Sequence, residues 1–173
     1  MRQLRYSVAA SLDGFIAGPN GEYDWIIADP SFDFTALWDQ FDILLMGRRT
    51  FEVAIKRFPS LEAMGKKLVV VSKTLNQYPG ATILSEKIPE AVAVLKAEPG
   101  PQSRKDIWLM GGGALFRTLL DAGLVDTVEL SIIPIMLGSG TPLLPVGSRC
   151  PLRLEQSSAF PNGTLRLRYS ITP

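Results

Sequence analysis

The apolar residues of the chain form short unbroken runs and stripes at helical spacing. Three runs of four apolar residues, at 43–46, 68–71 and 107–110, contain no polar alternation. Such runs are typical of strands buried on both faces, as in a parallel sheet covered by helices. Spacings of three and four residues between the runs predict four helices. Their stripes are Phe34, Leu37, Trp38 and Phe41; Phe51, Ala54, Ile55 and Phe58; Ala91, Val94 and Leu95; and Leu115, Phe116, Leu119 and Leu120.

The last third of the chain follows a period of two instead. Apolar and polar residues alternate over 128–132 and again over 165–171. Alternation predicts strands with one face towards solvent, which is typical of antiparallel pairing. The pair Asn162-Gly163 predicts a turn before the last strand. The patterns together predict a mostly parallel α/β sheet with an antiparallel edge. The predicted order is a strand, a long loop, α-β-α-β-β-α-β-α and a hairpin-like end.

The composition narrows the chemistry that the chain can perform. Its 173 residues predict one domain spanning 1–173, and its net charge of +1 lacks the basic excess of a nucleic-acid binder. The absence of histidine excludes a Ser-His-Asp triad and a histidine-ligated metal, and we expect no metal site. Cys150 is the single cysteine, so no intramolecular disulfide forms, and its simplest interpretation is a free thiol.

The hydropathy pattern gives no sign of a membrane segment. No apolar run approaches the 18 residues that a spanning helix needs. Residues 1–5 include two arginines and lack the uncharged apolar stretch of a secretory signal. We therefore expect a cytoplasmic protein that contacts neither membrane nor nucleic acid.

The first buried run is followed by Gly47-Arg48-Arg49-Thr50, which opens a predicted helix. Ligands of open α/β sheets bind beyond the carboxyl ends of the strands, and a helix N-terminus favours a phosphate. Two arginines there oppose the helix dipole, and a local rule broken in this way indicates function. Arginine is also suited to bidentate phosphate contact. The alternative is a pair of solvated surface arginines.

Two further strand ends carry residues that are compatible with phosphate. Ser72-Lys73 follows the second run, although such a pair is also ordinary in loops. Gly111-Gly112-Gly113-Ala114 follows the third, where glycines let the backbone approach a ligand, or simply form a tight turn. Phe116 breaks the dinucleotide fingerprint G-x-G-x-x-G, and no P-loop motif is present. Three such loops at one sheet edge favour a dinucleotide, and the extra positive charge would suit a 2′-phosphate.

The loop after the first strand is the fourth candidate. Residues 11–21 are rich in glycine, and a loop of this length in a small domain is usually functional. The pairs Asp13-Gly14 and Asn20-Gly21 predict turns, and we interpret Asp13 as structural.

Several of these segments, taken in chain order, resemble the dihydrofolate reductase-like superfamily. The resemblance is closest to the branch that contains the reductase domain of bacterial riboflavin biosynthesis. The matching segments are 11–17, 24–26, 45–50, 68–72, 110–113 and 134–143. The resemblance covers nearly the whole chain. It implies a three-layer α/β/α fold with a mixed, mostly parallel central sheet of about eight strands and an antiparallel C-terminal edge. It also implies NADPH as the cofactor and favours a homodimer.

The resemblance implies a cofactor role for thirteen positions. Expected at the pyrophosphate and the phosphates of the adenosine are Gly47, Arg48, Arg49, Thr50, Ser72, Lys73, Gly111, Gly112, Gly113, Ala114 and Leu115. Ala9 and Ile16 are expected to flank the nicotinamide. The loop 11–21 is expected to close over the cofactor and exclude water.

The substrate side is less sharply defined. Folate-reducing members carry a carboxylate at the start of the helix after the first loop, and both Asp29 and Asp33 lie near that place. Either one is a candidate to bind a ring or assist protonation, and N-capping of the helix is the alternative. Trp25 and Phe32 are the expected substrate-binding residues.

The resemblance implies an NADPH-dependent oxidoreductase that transfers a hydride to a C=N or similar bond. Its small-molecule substrate would be a heterocycle, pteridine-like or ribosylamino-pyrimidine-like. Two alternatives stay open at the level of sequence. One is dihydrofolate reduction, and the other is an inactive NADPH-binding sensor or assembly subunit.

Overall fold

The computed structural model describes residues 1–57, 65–98 and 105–172. These ranges contain ten strands and four helices, and their order agrees with the prediction up to the last helix except for a short strand, Phe15–Ala17, within the predicted loop. The elements are β1 Leu4–Ser11, β2 Phe15–Ala17, α1 Phe34–Trp38, β3 Phe41–Gly47, α2 Arg48–Arg57, β4 Lys67–Val71, β5 Ala81–Leu84, α3 Ile88–Ala97, β6 Asp106–Leu109, α4 Gly113–Asp121, β7 Thr127–Ile133, β8 Thr141–Pro142, β9 Leu152–Ala159 and β10 Leu165–Ile171.

Eight strands form one mixed sheet in the order β5-β4-β3-β6-β1-β7-β10-β9. The six strands from β5 to β7 are parallel, and β10 and β9 add an antiparallel edge. The predicted fold class is therefore confirmed. A second, two-stranded sheet forms where β2 in the first loop pairs with β8. No helix in the described ranges is long and apolar enough to cross a bilayer.

Each face of the large sheet carries its own hydrophobic core. On one face Tyr6 stacks on Phe116 of α4, with 3.8 Å between ring centroids, among other side chains of β1, β3, β6, α3 and α4. On the other face Trp108 packs against Phe41 and Leu37, beneath α1 and α2. The four-residue apolar runs supply side chains to both cores, which is why they contain no polar alternation.

Three details of the helical stripes were predicted wrongly. Phe34 in α1 is 52% exposed. Helix α1 ends at Trp38, and Phe41 is the first residue of β3. Its buried side chain therefore belongs to the sheet and not to a helix. In α3 the side chain of Val94 is 63% exposed, whereas Val92 is fully buried. The helix begins at Ile88, and positions 88, 92 and 95 lie four and three residues apart on one side of it. This side, and not the side of Val94, faces the core. Phe58 lies outside the described residues.

The alternating C-terminal segments differ from the prediction in their polar face. Glu129 on β7 was expected to face solvent, but it is only 2% exposed. Strand β9 was not predicted, since its residues show little apolar periodicity. The turn between β9 and β10 does form at Asn162-Gly163, with a φ of +86° at Gly163. It is closed by a 2.9 Å hydrogen bond from the Gly163 amide to the Phe160 carbonyl.

Candidate functional site

The carboxyl ends of β3, β4 and β6 meet at one edge of the sheet. Gly47 pairs with Val71 at the end of β4, and Leu45 pairs with Leu109 at the end of β6. The amide of Met110 continues this ladder with a 3.0 Å hydrogen bond to the Leu45 carbonyl. The three loops that the sequence predicted to share a ligand are therefore neighbours.

Side chains connect the first two of these loops. Arg48 donates a 3.0 Å hydrogen bond from Nη1 to the Thr74 hydroxyl, and it also forms an exposed ion pair with Glu52. The buried hydroxyl of Ser72 accepts hydrogen bonds from the amides of Thr74 and Leu75, at 3.2 and 2.9 Å. Ser72 thus shapes the turn that presents Thr74 to Arg48. This contact draws the ends of β3 and β4 into one surface.

Two cations on that surface have no partner among the residues that the structure describes. Arg49 and Lys73 are exposed, and neither makes a hydrogen bond or an ion pair with any residue in the described ranges. Helix α2 begins at Arg48 and has no acidic residue in its first turn. Its N-terminal N–H groups and the cations therefore present positive charge together, which suits an anionic ligand.

The third loop brings backbone rather than side chains to the edge. Gly111 and Gly112 adopt φ values of +138° and +88°, which residues with a Cβ rarely adopt. Gly112 caps α4 without any side-chain hydrogen bond, so the first N–H groups of that helix stay available. A Cβ added to Gly111 would lie 3.6 Å from the Thr50 hydroxyl, which places this turn against the start of α2.

The glycines also allow close packing beneath the turn. A Cβ at Gly113 would lie 2.9 Å from the Pro142 carbonyl oxygen and 3.2 Å from that of Leu143, so the start of α4 rests on backbone. Ala114 is exposed beside it, and Leu115 is buried in the core. Bare N–H groups, unpaired cations and a glycine turn at one edge are the donor set that a dinucleotide diphosphate needs. The residues present therefore fit the implied cofactor.

The first loop is fastened by Asp13. Its Oδ1 accepts hydrogen bonds from the Ser11 hydroxyl at 2.6 Å and the Leu137 amide at 3.1 Å, and its Oδ2 accepts one from the Gly138 amide at 2.7 Å. These donors, the Ser11 hydroxyl first, hold the pKa of Asp13 below its ordinary value despite partial desolvation. The structural interpretation of Asp13 agrees with these contacts. They position β2, which carries the half-buried Ile16.

Both candidate aspartates have structural partners. Asp33 caps α1, and its Oδ1 accepts a 2.8 Å hydrogen bond from the Ala36 amide. Asp29 is buried, and its Oδ1 accepts hydrogen bonds from the Ser31 hydroxyl and amide, at 2.6 and 2.9 Å. Its Oδ2 accepts a 3.0 Å hydrogen bond from the Asn162 amide. The bonds from Ser31 and then Asn162 outweigh desolvation and keep the pKa of Asp29 below its ordinary value.

The two expected substrate residues lie in different settings. Trp25 is buried, and its indole N–H donates a 3.0 Å hydrogen bond to the Glu22 carbonyl. Phe32 is half-buried and lines a cavity of about 290 Å³ between α1 and the C-terminal half of the sheet. Trp25 is absent from the lining of that cavity, so only Phe32 faces it. The lining comprises Arg5, Phe32, Asp33, Ala36, Leu37, Gln40, Glu129, Gln156, Ser158, Phe160, Arg166 and Arg168.

A buried ion pair forms the floor of this cavity. Arg5 binds Glu129 through two hydrogen bonds, Nε to Oε1 at 2.7 Å and Nη2 to Oε2 at 3.1 Å. Its Nη1 donates to the Gln40 side chain at 2.8 Å and to Asp106 at 3.3 Å. Burial alone raises the pKa of Glu129. The Arg5 hydrogen bonds and the nearby guanidinium charges outweigh burial, and the pKa is lowered.

The sequence analysis missed most of this cavity. Arg5, Glu129, Arg166 and Arg168 lie in three different strands, and each is an ordinary polar position in an alternating or amphipathic segment. Opposite charges on alternating strands are the only signal that connects them. That signal can be interpreted only when the strand register is known. The register places Glu129 opposite Ser7 on β1 and Arg168 on β10.

A row of paired residues leads from Ala9 to the cavity along one face of the sheet. Ala9 is paired with Ser131 on β7, Ser131 with Arg166 on β10, and Arg166 with Ser158 on β9. Directly paired residues point to the same face. Neighbouring strands are about 4.8 Å apart, so Arg166 lies about 10 Å from Ala9 across the sheet. Ala9 thus stands between the glycine edge and the cavity.

Comparison with known proteins agrees with this architecture. The family model of the RibD C-terminal domain matches residues 2–166. The uncharacterized protein YyaP of Bacillus subtilis (strain 168) is 38% identical, with 97% of this chain and 94% of YyaP covered. A second protein of that organism, the uncharacterized protein YwjB, is 28% identical, with 88% of this chain and 89% of YwjB covered.

Solved structures show the same fold at lower identity. A protein from Shewanella sp. PV-4 that carries a provisional riboflavin-biosynthesis name superposes with a TM-score of 0.81 at 24% identity, and both chains are covered in full. The deaminase/5-amino-6-(5-phosphoribosylamino)uracil reductase of Thermotoga maritima gives 0.73 at 16%, with 99% of this chain and 57% of that chain covered. The match of the family model across nearly all of the sequence decides the classification: this chain belongs to the family of RibD C-terminal domains.

Proposed function

We propose that this protein is an NADPH-dependent reductase that acts on a C=N or similar bond of a small heterocycle. The convergence of three strand ends carries the proposal, because Arg48 contacts Thr74 beside Ser72 while Gly111 lies against Thr50. An extended diphosphate ligand is the chemistry that suits such an edge. Membership of the RibD C-terminal family supports the same activity.

The chain's own contribution is to bind and orient. Arg49 and Lys73, which have no partner among the described residues, would supply charge for a phosphate on the adenosine ribose, together with Arg48. The backbone of 111–113 would hold the pyrophosphate, and Asp13 holds the loop that carries Ile16. The bound nicotinamide supplies the hydride. The protein would hold the nicotinamide ring and the heterocycle of the substrate together near Ala9 and limit the access of water.

Neither candidate aspartate is suited to protonate the substrate. Asp29 accepts three hydrogen bonds and its pKa is lowered, so it stays ionised at neutral pH and cannot serve as a general acid. Asp33 is occupied as a helix cap. With no histidine in the chain, we propose that the proton comes from water. Asp29 then shapes the segment before α1 and takes no part in proton transfer.

Cofactor titration tests the assignment directly. Intrinsic tryptophan fluorescence is followed as NADPH or NADH is added to the wild type, to Arg49→Gln and to the control Arg153→Gln, whose side chain on β9 is 72% exposed. We expect NADPH to bind more tightly than NADH to the wild type. Arg49→Gln should lose about tenfold in NADPH affinity and little in NADH affinity, since it removes a charge-assisted contact. Equal affinity of the wild type for both cofactors would contradict our interpretation of the arginines.

Turnover then separates the three activities that the sequence left open. NADPH oxidation is measured with a pteridine, with a ribosylamino-pyrimidine and with dihydrofolate. Oxidation with either of the first two supports the proposal, and oxidation with dihydrofolate alone would make the protein a dihydrofolate reductase. Tight NADPH binding without oxidation in any assay would favour the sensor or assembly subunit.

We also propose that the chain pairs as a homodimer at the β9 edge. Leu152, Leu154 and Leu165 are each about half exposed, and the strand pairing puts them on one face of the sheet. Exposed edge strands with apolar side chains are sites of further pairing, and a two-fold axis lets identical patches cover each other. Light scattering should give a dimer for the wild type and a monomer for Leu154→Lys. A monomeric wild type would refute this proposal and leave the cofactor proposal intact.

A further inference from the structure

The cavity beneath α1 contains guanidinium groups whose hydrogen-bonding capacity the protein does not use. Arg166 donates one hydrogen bond, from Nη2 to Glu129 Oε2 at 3.3 Å. The buried Nε of Arg168 has no hydrogen-bond partner in residues 1–57, 65–98 and 105–172, and carboxylate oxygens of Glu129 and Glu155 lie 3.8 and 3.7 Å away. Each guanidinium has five N–H donors, so most of those on Arg166 and Arg168 are unused.

The carboxylates near the cavity are shared among several cations, since Glu129 forms ion pairs with Arg5, Arg166 and Arg168. Glu129 is bound on both oxygens by Arg5, which is as deeply buried as Glu129 itself. Asp33 at the cavity wall is turned to the N-terminus of α1. The lining therefore contains three guanidinium groups against two carboxylates. The lining residues thus carry a net charge of +1, and Glu155 lies outside the lining, 3.7 Å from Arg168.

The two arginines are held in position rather than free in solvent. The guanidinium carbon of Arg166 lies 4.7 Å from the ring centroid of Phe32, a cation–π contact that fixes its plane. Phe160 in turn packs edge-on against Phe32, with 5.8 Å between centroids. The Arg168 side chain is two-thirds buried. Pre-positioned arginines bind a planar oxyanion with less loss of side-chain entropy.

The strand beside the two arginines offers two further polar side chains. Gln156 and Ser158 of β9 face the same cavity, paired in the sheet with Arg168 and Arg166. Neither side chain has a hydrogen-bond partner within the part of the chain that the structure describes. A group bound between α1 and β9 would therefore meet donors from two strands. The cavity of about 290 Å³ is large enough for a small organic anion.

We propose that this cavity binds an oxyanion, a carboxylate or a phosphate monoester, through Arg166 and Arg168. The forked donors of arginine match the paired oxygens of both groups. The cross-strand row from Arg166 to Ala9 places the rest of such a molecule over the sheet face that leads to the cofactor edge. Only that last step rests on the proposed reductase function. The binding of the oxyanion itself does not require NADPH.

Three small probes of similar shape test the site without cofactor. Phenyl phosphate, benzoate and the uncharged benzamide are titrated into the wild-type protein by calorimetry or NMR. We expect phenyl phosphate or benzoate to bind at least about tenfold more tightly than benzamide, because charge-assisted hydrogen bonds form only with the anions. The stronger of the two identifies the oxyanion as phosphate or carboxylate. Equal affinities for all three probes, or no binding of either anion, would overturn the proposal.

Variants assign the binding to the named residues. Arg168→Gln should weaken the better anion about tenfold, whereas Arg153→Gln on the neighbouring strand should leave it unchanged. Arg168 is partly exposed and makes no hydrogen bond through Nε, so its loss should not unfold the protein. Unchanged anion binding in Arg168→Gln and in Arg166→Gln would refute the site. NADPH titration of the same variants should match the wild type, which keeps a failure here separate from a failure of the cofactor proposal.

Discussion

Replacing Glu129 by glutamine tests whether the buried ion pair is essential for stability. Glu129 and Arg5 have side chains that are 2% and 5% exposed, and two hydrogen bonds join them. Removing one partner of a buried pair usually costs about 3–5 kcal/mol, because the other charge stays buried without compensation. Glutamine keeps one acceptor oxygen, and Gln40 and Asp106 still contact Arg5 at 2.8 and 3.3 Å. We therefore expect the lower end, about 3 kcal/mol.

The loss should be plain in equilibrium unfolding. In a chain of this length, 1 kcal/mol lowers the Tm by about 2–4 °C, so Glu129→Gln should melt roughly 6–12 °C below the wild type. Urea unfolding at neutral pH gives the free energy of unfolding itself. Glu155→Gln is the matched control, because Glu155 is a third exposed and lies 3.7 Å from Arg168. Its free energy should change by less than about 0.5 kcal/mol. A loss below about 1 kcal/mol for Glu129→Gln would refute the reasoning.

The pH dependence of that difference has a defined sign. The folded pKa of Glu129 lies below the ordinary value of 4.5, so the folded state favours the charged carboxylate. The stabilisation by ionised Glu129 is complete above that ordinary value and is lost as the pH falls through the folded pKa. The gap between wild type and Glu129→Gln should therefore be constant near neutrality and should narrow in acid. A gap that widens in acid would contradict this linkage.

Three further variants address the other roles. Gly112→Ala places a Cβ on a backbone at φ +88° with nothing closer than 3.9 Å, so strain alone should cost about 1–2 kcal/mol in urea unfolding; an unchanged stability would disprove that strain. Asp33→Ala removes the helix cap and should cost about 1 kcal/mol while kcat is kept; loss of turnover at unchanged KM would instead make Asp33 catalytic. Asp13→Ala frees the first loop from residues 137–138 and should speed proteolytic cleavage within 11–21, and unaltered cleavage would show that the loop is held elsewhere.

The elements with dense, periodic apolar patterns were predictable from the sequence. The runs at 43–46, 68–71 and 107–110 are strands because both of their faces are covered by a core, and this leaves an unbroken apolar signature. The sequence also predicted that the loops after those runs are neighbours, since parallel strands end at the same edge; their cofactor role stays a prediction. The ligand that such an edge can bind depends on the residues that follow neighbouring strands. The glycines and cations at those positions can be identified from the sequence.

The C-terminal half of the site was not predictable in the same way. The buried state of Glu129 depends on Arg5, which is far away in sequence and reaches it only through the pairing of β1 with β7. Strand β9 is almost entirely exposed, so burial imposes no periodicity on its residues. The pattern of apolar residues indicates which side chains are buried against a core. It does not indicate which polar side chains are buried against each other.

Asp29 also links early and late parts of the chain. Its carboxylate holds the Asn162 amide across 133 residues of sequence, and the Asn162 side chain donates to the Ile27 carbonyl. Contacts this distant form late in folding, because a large loop must close first. The segment before α1 can therefore reach its final shape only after the C-terminal hairpin is complete. During synthesis, Phe32 can therefore take its place in the cavity wall only after nearly the whole chain has left the ribosome.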